Sequence, residues 1–151
     1  MTRRHFEDFR PGDVIELGSR SIGKDEIIAF AREFDPQTFH VDEEAAKGTF
    51  FGGLLASGWH TAAISMRLLY EGVVKHVVSL GSPGVDELRW VKPVRPGDTL
   101  TGRYTVVECI ASRSKPDRGI VRSVVELRNQ HGEVVLTCKG LGLFGRRPAS
   151  A

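Results

Sequence analysis

The stretch from Leu54 to Tyr70 constrains the fold more than any other part of the chain. Beginning at Leu54 or Gly58, it places Leu55, Trp59, Ala62, Ala63, Met66 and Leu69 on one helical face, and Leu54, Ile64 and Leu68 on a second. A helix that is apolar on most sides cannot lie on a surface, so something has to wrap it. The second half of the chain supplies the wrapper. Val85–Val91, Thr99–Cys109, Ile120–Arg128 and Val134–Phe144 are long runs with partial alternation and high β-branched content. Gln130–Glu133 reads as a hairpin turn between the last two. One long buried helix followed by long antiparallel strands predicts an α+β layer structure, with a sheet curled around the helix.

The first half is shorter in its elements. Arg10-Pro11-Gly12-Asp13 reads as a turn leading into a short strand, Val14–Leu17. The same tetrapeptide returns as Arg95–Asp98, again before a β-like run, and reads as one turn solution used twice. Lys24–Phe34 predicts a helix with Ile27, Ile28, Ala31 and Phe34 on its apolar face, stopped by Asp35-Pro36. Asp42 then caps a short helix that runs through Lys47 and stops at Gly48.

Composition narrows the classes. At 151 residues the chain is one domain, with 10–145 as its core and 146–151 as a flexible tail. A net charge of +2 is too mild for a nucleic-acid binder. No apolar stretch reaches the roughly 20 residues of a membrane helix, and the first residues carry no apolar signal core, so the expected location is the cytoplasm. Two cysteines, Cys109 and Cys138, exclude a disulfide scaffold and read as small buried thiols. No His, Cys, Asp and Glu set has metal-ligand spacing, so no metal is expected.

Chemistry concentrates in Phe34–Asp42, where Asp35 and His40 stand five residues apart on a proline-marked loop. Extended, the pair would lie up to roughly 17 Å apart, so joint action requires the loop to curl. A histidine with pKa near 6.5 suits proton transfer, and a neighbouring carboxylate can orient it or take a proton from water. The same residues also fit a helix terminator and a solvated loop histidine. Downstream, Gly52-Gly53 and Ser57-Gly58 open the long helix, where free N–H groups and the helix dipole favour an anion or a developing oxyanion. A plain loop, with Gly58 packed on the sheet, fits as well.

Together these segments resemble the MaoC-like dehydratases, which include the R-specific 2-enoyl-CoA hydratases and have the hot-dog fold. The resemblance rests on Asp35 and His40, then Asp42 and Ala45, Phe51-Gly52, Ser57-Gly58 at the helix start, and Val91–Thr99 before the long strands. It implies that Asp35 and His40 hold and activate a water. It implies that the backbone N–H of Gly58 binds a thioester carbonyl, with Ser57 shaping that site. The family consensus has Asn two residues and Pro three residues after the Asp, where this chain has Gln37 and Thr38, with its proline at 36. The implied reaction adds water across the double bond of a trans-2-enoyl-CoA to give an R-3-hydroxyacyl-CoA, or the reverse. Coenzyme A or an acyl carrier enters as part of the substrate, with no separate cofactor. A homodimer or a dimer of dimers is implied.

Two other activities share this fold. A hot-dog thioesterase draws its carboxylate from the central helix, and Gly58–Tyr70 contains none. A non-catalytic acyl-CoA-binding protein is favoured by Gln37 and Thr38. Outside the loop, His60 reads as packed or capping, and His5, His76 and His131 as surface. Trp90 and Tyr104 read as core or interface aromatics. Arg89, Lys92 and Arg95, and the basic loop Arg113, Lys115 and Arg118, are the cations available to a coenzyme A phosphate. Gly81–Gly84 reads as a turn or flexible rim.

Overall fold

The computed structural model describes residues 2–149. Five strands form one antiparallel sheet in the order β1-β3-β4-β5-β2. They are β1 (Val14–Ser21), β2 (Val85–Trp90), β3 (Thr99–Ala111), β4 (Arg118–Arg128) and β5 (Val134–Gly145). The helices are α1 (Lys24–Phe34), α2 (Thr38–Val41), α3 (Glu43–Lys47) and α4 (Gly58–Gly72). Helix α4 lies in the curl of the sheet, the hot-dog arrangement. Gly72 lets the helix close on β1, because a Cβ there would fall 2.6 Å from the Leu17 side chain.

The repeated tetrapeptide makes the same turn twice. In each copy the glycine sits at positive φ (Gly12 +93°, Gly97 +88°). In each the aspartate carboxylate accepts the arginine N–H three residues back, at 2.9 Å for Asp13 and 2.8 Å for Asp98. The two turns dock reciprocally on the β1–β3 ladder. Gly12 N–H donates to the Val106 carbonyl and Gly97 N–H to that of Ile22, at opposite ends of the pairing. The ladder slips between Glu16 and Gly18, so Leu17 stands as an extra residue at the edge of the sheet. At the other border β2 pairs with β5 alone.

The core runs from Ile22 and Ile27 through Leu100, Leu127 and Leu136, all fully buried. The structure corrects the helical faces read from the sequence. On α4 the buried residues are His60, Thr61, Ile64, Ser65 and Leu68, while Trp59, Met66 and Tyr70 point outward. Apolar residues occupy nearly the whole circumference, so hydrophobicity alone cannot choose the face toward the sheet. The hydroxyls on the buried side bond carbonyls of their own helix or its cap: Thr61 Oγ1 to Ser57 at 3.4 Å and Ser65 Oγ to Ala62 at 2.7 Å. Leu54, Leu55 and Ala56 are buried but precede the helix. On α1, Ile27 and Ala31 face the core whereas Phe34 is 64% exposed, its ring 5.1 Å from that of Phe30.

Other readings also shift. Cys109 and Cys138 are half-buried free thiols rather than buried ones. His5 and His76 are half-buried, and only His131 is fully at the surface. Strand β1 is twice the length read for it, because Gly18 and the polar Ser19–Ser21 continue the pairing with β3. Of the expected tail, Arg146 bonds Glu7 at 3.1 Å and Arg147 pairs with Asp8, while residues 150 and 151 lie outside the described residues.

Candidate active site

Asp35 is the residue at which α1 ends, with φ −156° and ψ 70°, because Pro36 disfavours another helical residue before it. The chain then turns on itself. Gln37 N–H donates to the Asp35 carbonyl and His40 N–H to the Gln37 carbonyl, each at 2.9 Å. The turn becomes α2, and it brings His40 Nε2 to 3.3 Å from Asp35 Oδ2. His40 is buried and Asp35 only slightly exposed.

The segment before α4 closes the site from the other side. Leu55 N–H donates to the Phe39 carbonyl, and the Leu55 carbonyl lies 2.7 Å from His40 Nδ1. A carbonyl only accepts, so Nδ1 carries a proton, and Nε2 is the ring nitrogen turned toward Asp35. Nε2 and Oδ2 face one another across 3.3 Å, close enough for one water to bond both.

Ser57 is fully buried, and its hydroxyl donates to Asp35 Oδ2 at 2.7 Å. Ser57 Oγ in turn accepts the Trp59 N–H at 3.3 Å, capping α4. Gln37 Nε2 donates to Asp35 Oδ1 at 2.7 Å. Burial by itself pushes the Asp35 carboxyl up. The hydrogen bonds from Ser57 and Gln37, with the nearby His40 charge, outweigh it and hold the group below its ordinary range. Asp35 is thus a carboxylate at neutral pH.

Gly58 begins α4, and the N–H groups of a first helical turn have no intrahelical acceptor. Ser57 takes those of Trp59, His60 and Thr61, and among the described residues the Gly58 N–H has no acceptor. A Cβ at Gly58 would overlap the Trp90 indole, so the close approach of that ring requires glycine. Asp35, His40 and Gly58 open into one cleft of about 490 Å³, walled by Phe51, Trp90 and Val94. Ser57 stands behind it, touching Asp35.

The remaining sequence candidates divide. Arg95 does not face the cleft as a free cation. Its guanidinium bonds the carbonyls of Phe51, Gly53 and Leu54, fixing the loop that leads into α4. Lys92 borders the cleft and pairs with Glu133, and Arg89 pairs with Glu87. Arg118 pairs with Asp117. His60 is packed, its ring stacked 4.6 Å from Phe30, and burial lowers its pKa so that it stays neutral. Tyr104 is core, whereas Trp90 is half exposed on the rim. Helix α4 extends past Tyr70 and so contains Glu71. That residue lies at the end of the helix far from the cleft, paired with Arg67 and Lys75. The roles of Gln37 and Arg95 were not read from sequence. The repeated turn is the signal that marks Arg95, and the consensus asparagine two residues after the aspartate is the signal for Gln37.

A curled sheet around a buried helix, with a carboxylate and an imidazole meeting at the helix mouth, defines the class of hot-dog proteins to which hydratases and dehydratases belong. The chain is a member of the MaoC-like domain family, whose model matches residues 8–128. It is 37% identical over 127 residues to the YdeM protein of Bacillus subtilis, covering 83% of this chain and 87% of that one. It is 30% identical over 115 residues to the (R)-specific enoyl-CoA hydratase of Rhodospirillum rubrum, covering 72% and 74% respectively. Among solved structures, a MaoC-like dehydratase from Rhodospirillum rubrum superposes with a TM-score of 0.86 at 44% identity, over 96% of this chain and 99% of that one. The family includes R-hydratases, and these likenesses support a hydratase-type function for this chain.

Proposed function

We propose that the protein hydrates the double bond of trans-2-enoyl thioesters of coenzyme A or an acyl carrier, giving R-3-hydroxyacyl thioesters, and catalyses the reverse dehydration. The observation that carries this is the meeting of His40 Nε2 and Asp35 Oδ2 at 3.3 Å, with His40 Nδ1–H held by the Leu55 carbonyl. On this reading the two atoms bind a water by its protons. The lone pairs of that water are left for the substrate.

In this reading the thioester oxygen accepts the Gly58 N–H. The water oxygen bonds to the third carbon while its proton passes to the Asp35–His40 pair. The C2–C3 π electrons move onto the thioester oxygen, giving an enolate, and a proton then returns to C2. One oxyanion donor of this kind is worth about 3 kcal/mol in the transition state. The thioester supplies the electron sink, so no separate cofactor enters, and coenzyme A is part of the substrate. Two free thiols accord with a reducing compartment such as the cytoplasm.

We also propose that the working form is a homodimer, alone or paired further, joined along β2. That strand has one unpaired border, and beside it Trp59, Met66 and Val85 expose apolar surface.

The test is loss of enoyl absorbance with trans-crotonyl-CoA and longer homologues. Asp35→Asn and His40→Ala should each lower kcat/KM by at least about 100-fold with the fold intact by circular dichroism. Activity in both variants close to that of the unaltered chain removes the proposal. Thiol release without hydration would point to a thioesterase, and binding without turnover to a carrier.

A further inference from the structure

A second cavity lies behind the catalytic cleft. It measures about 400 Å³, is partly open to solvent, and is lined by Ala62, Met66 and Leu69 of α4, by Leu88 of β2 and by Tyr104 and Val125 of the sheet. Its walls are overwhelmingly apolar, whereas the cleft carries Asp35, Gln37 and His40. Among the described residues, Trp59 alone borders both spaces. Its indole meets that of Trp90 edge to face, ring centres 5.2 Å apart. Trp90 is in turn held against Gly58, where no side chain intervenes. On β2 the inward residues follow the same division, with Leu88 in the rear cavity and Trp90 in the cleft.

We infer that Trp59, braced by Trp90, is a partition that sets acyl-chain length. It confines the chain to thioesters with short tails and closes off a rear space able to hold a longer one. The inference rests on the proposed hydratase reading. A thioester with its carbonyl at the Gly58 N–H and its third carbon at Asp35 and His40 meets the side chain of the next residue, Trp59, as its tail lengthens. A flat ring at that point stops the tail. An alanine there joins the two spaces and lets further methylenes leave water for an apolar cavity, each worth roughly a fourfold gain.

The indole is 59% exposed on the single chain, so removing it leaves the core intact, and because Trp59 also borders the proposed dimer face, light scattering checks that each variant keeps the mass of the unaltered chain. This makes Trp59→Ala a usable variant, with Trp59→Phe as the conservative one. The experiment measures kcat/KM for trans-2-enoyl-CoAs of four to twelve carbons. The unaltered chain should favour four and six carbons. Trp59→Ala should raise the ten-to-four-carbon ratio at least tenfold, with Trp59→Phe between the two. Adding Ala62→Phe, which refills the rear cavity, should return the double variant to short tails.

Calorimetric affinities for saturated butanoyl-CoA and decanoyl-CoA give the same ratio without turnover. If no enoyl thioester is hydrated at any length, the hydratase reading fails and these affinities still decide the partition. Equal handling of four- and ten-carbon tails by the unaltered chain, or a ratio shifted less than tenfold in Trp59→Ala, overturns the inference.

Discussion

Ser57 ties three parts of the site together through one hydroxyl. It donates to Asp35, caps α4 at Trp59, and stands next to the Gly58 amide. Its hydrogen bond helps hold Asp35 ionised, so its loss has a definite sign. In Ser57→Ala the Asp35 carboxyl loses a donor while burial continues to push it up, and its pKa rises. The ionised form is the one that takes a proton from water. The acid limb of the kcat/KM profile should therefore move to higher pH, with kcat falling about tenfold at neutral pH. Ser57→Thr, which keeps a hydroxyl, should restore the limb. An unmoved limb in Ser57→Ala, measured from pH 4 to 8, would remove the assigned coupling. Folding follows the same linkage. The folded Asp35 pKa is depressed, so its contribution to stability is present above the unfolded value, near 3.8, and is lost as pH falls through the folded one.

At the scale of elements, the entry loop of α4 depends on Arg95. Its planar fork reaches three carbonyls that no strand or helix satisfies. Arg95→Ala should cost about 2 kcal/mol, a fall of roughly 4–8 °C in Tm for a chain this size, read by thermal denaturation. Arg95→Lys should recover little of it, since one ammonium cannot reproduce the fork. Element types and limits were largely legible. Lys24–Phe34, the Asp42-capped Glu43–Lys47 and the long strands follow from capping residues, Pro36 and β-branched runs. The inner face of α4 was not legible, because apolar residues occupy most of its circumference while three of its five buried residues, His60, Thr61 and Ser65, are polar. At the site, the spacing of Asp35 and His40 left a plain helix terminator and loop histidine equally open, the family resemblance named the pair, and their meeting depends on α2. The short helix Thr38–Val41 has no capping side chain and no apolar period long enough to announce it. The clasp on Asp35 by Ser57 and Gln37 joins residues that only the folded chain brings together.

For the whole molecule, the strand Val85–Trp90 carries Asp86 and Glu87 ahead of Arg89. Antiparallel pairing with a second copy sets the acidic end of one strand beside the basic end of the other, which is self-complementary under a twofold axis. Light scattering at micromolar concentration should give about twice the 16.6 kDa of one chain. Arg89→Glu places like charges across the pairing and should shift the mass toward the single chain, most strongly at low salt. A monomer for the unaltered protein would dismiss the dimer. The opposite border is of another kind. Leu17 interrupts the β1 ladder, and both of its ends are latched by the twin turns. With one margin free to pair and the other jagged, edge-to-edge growth of the sheet would stop at two copies and could not run on into a fibre, whatever other faces meet.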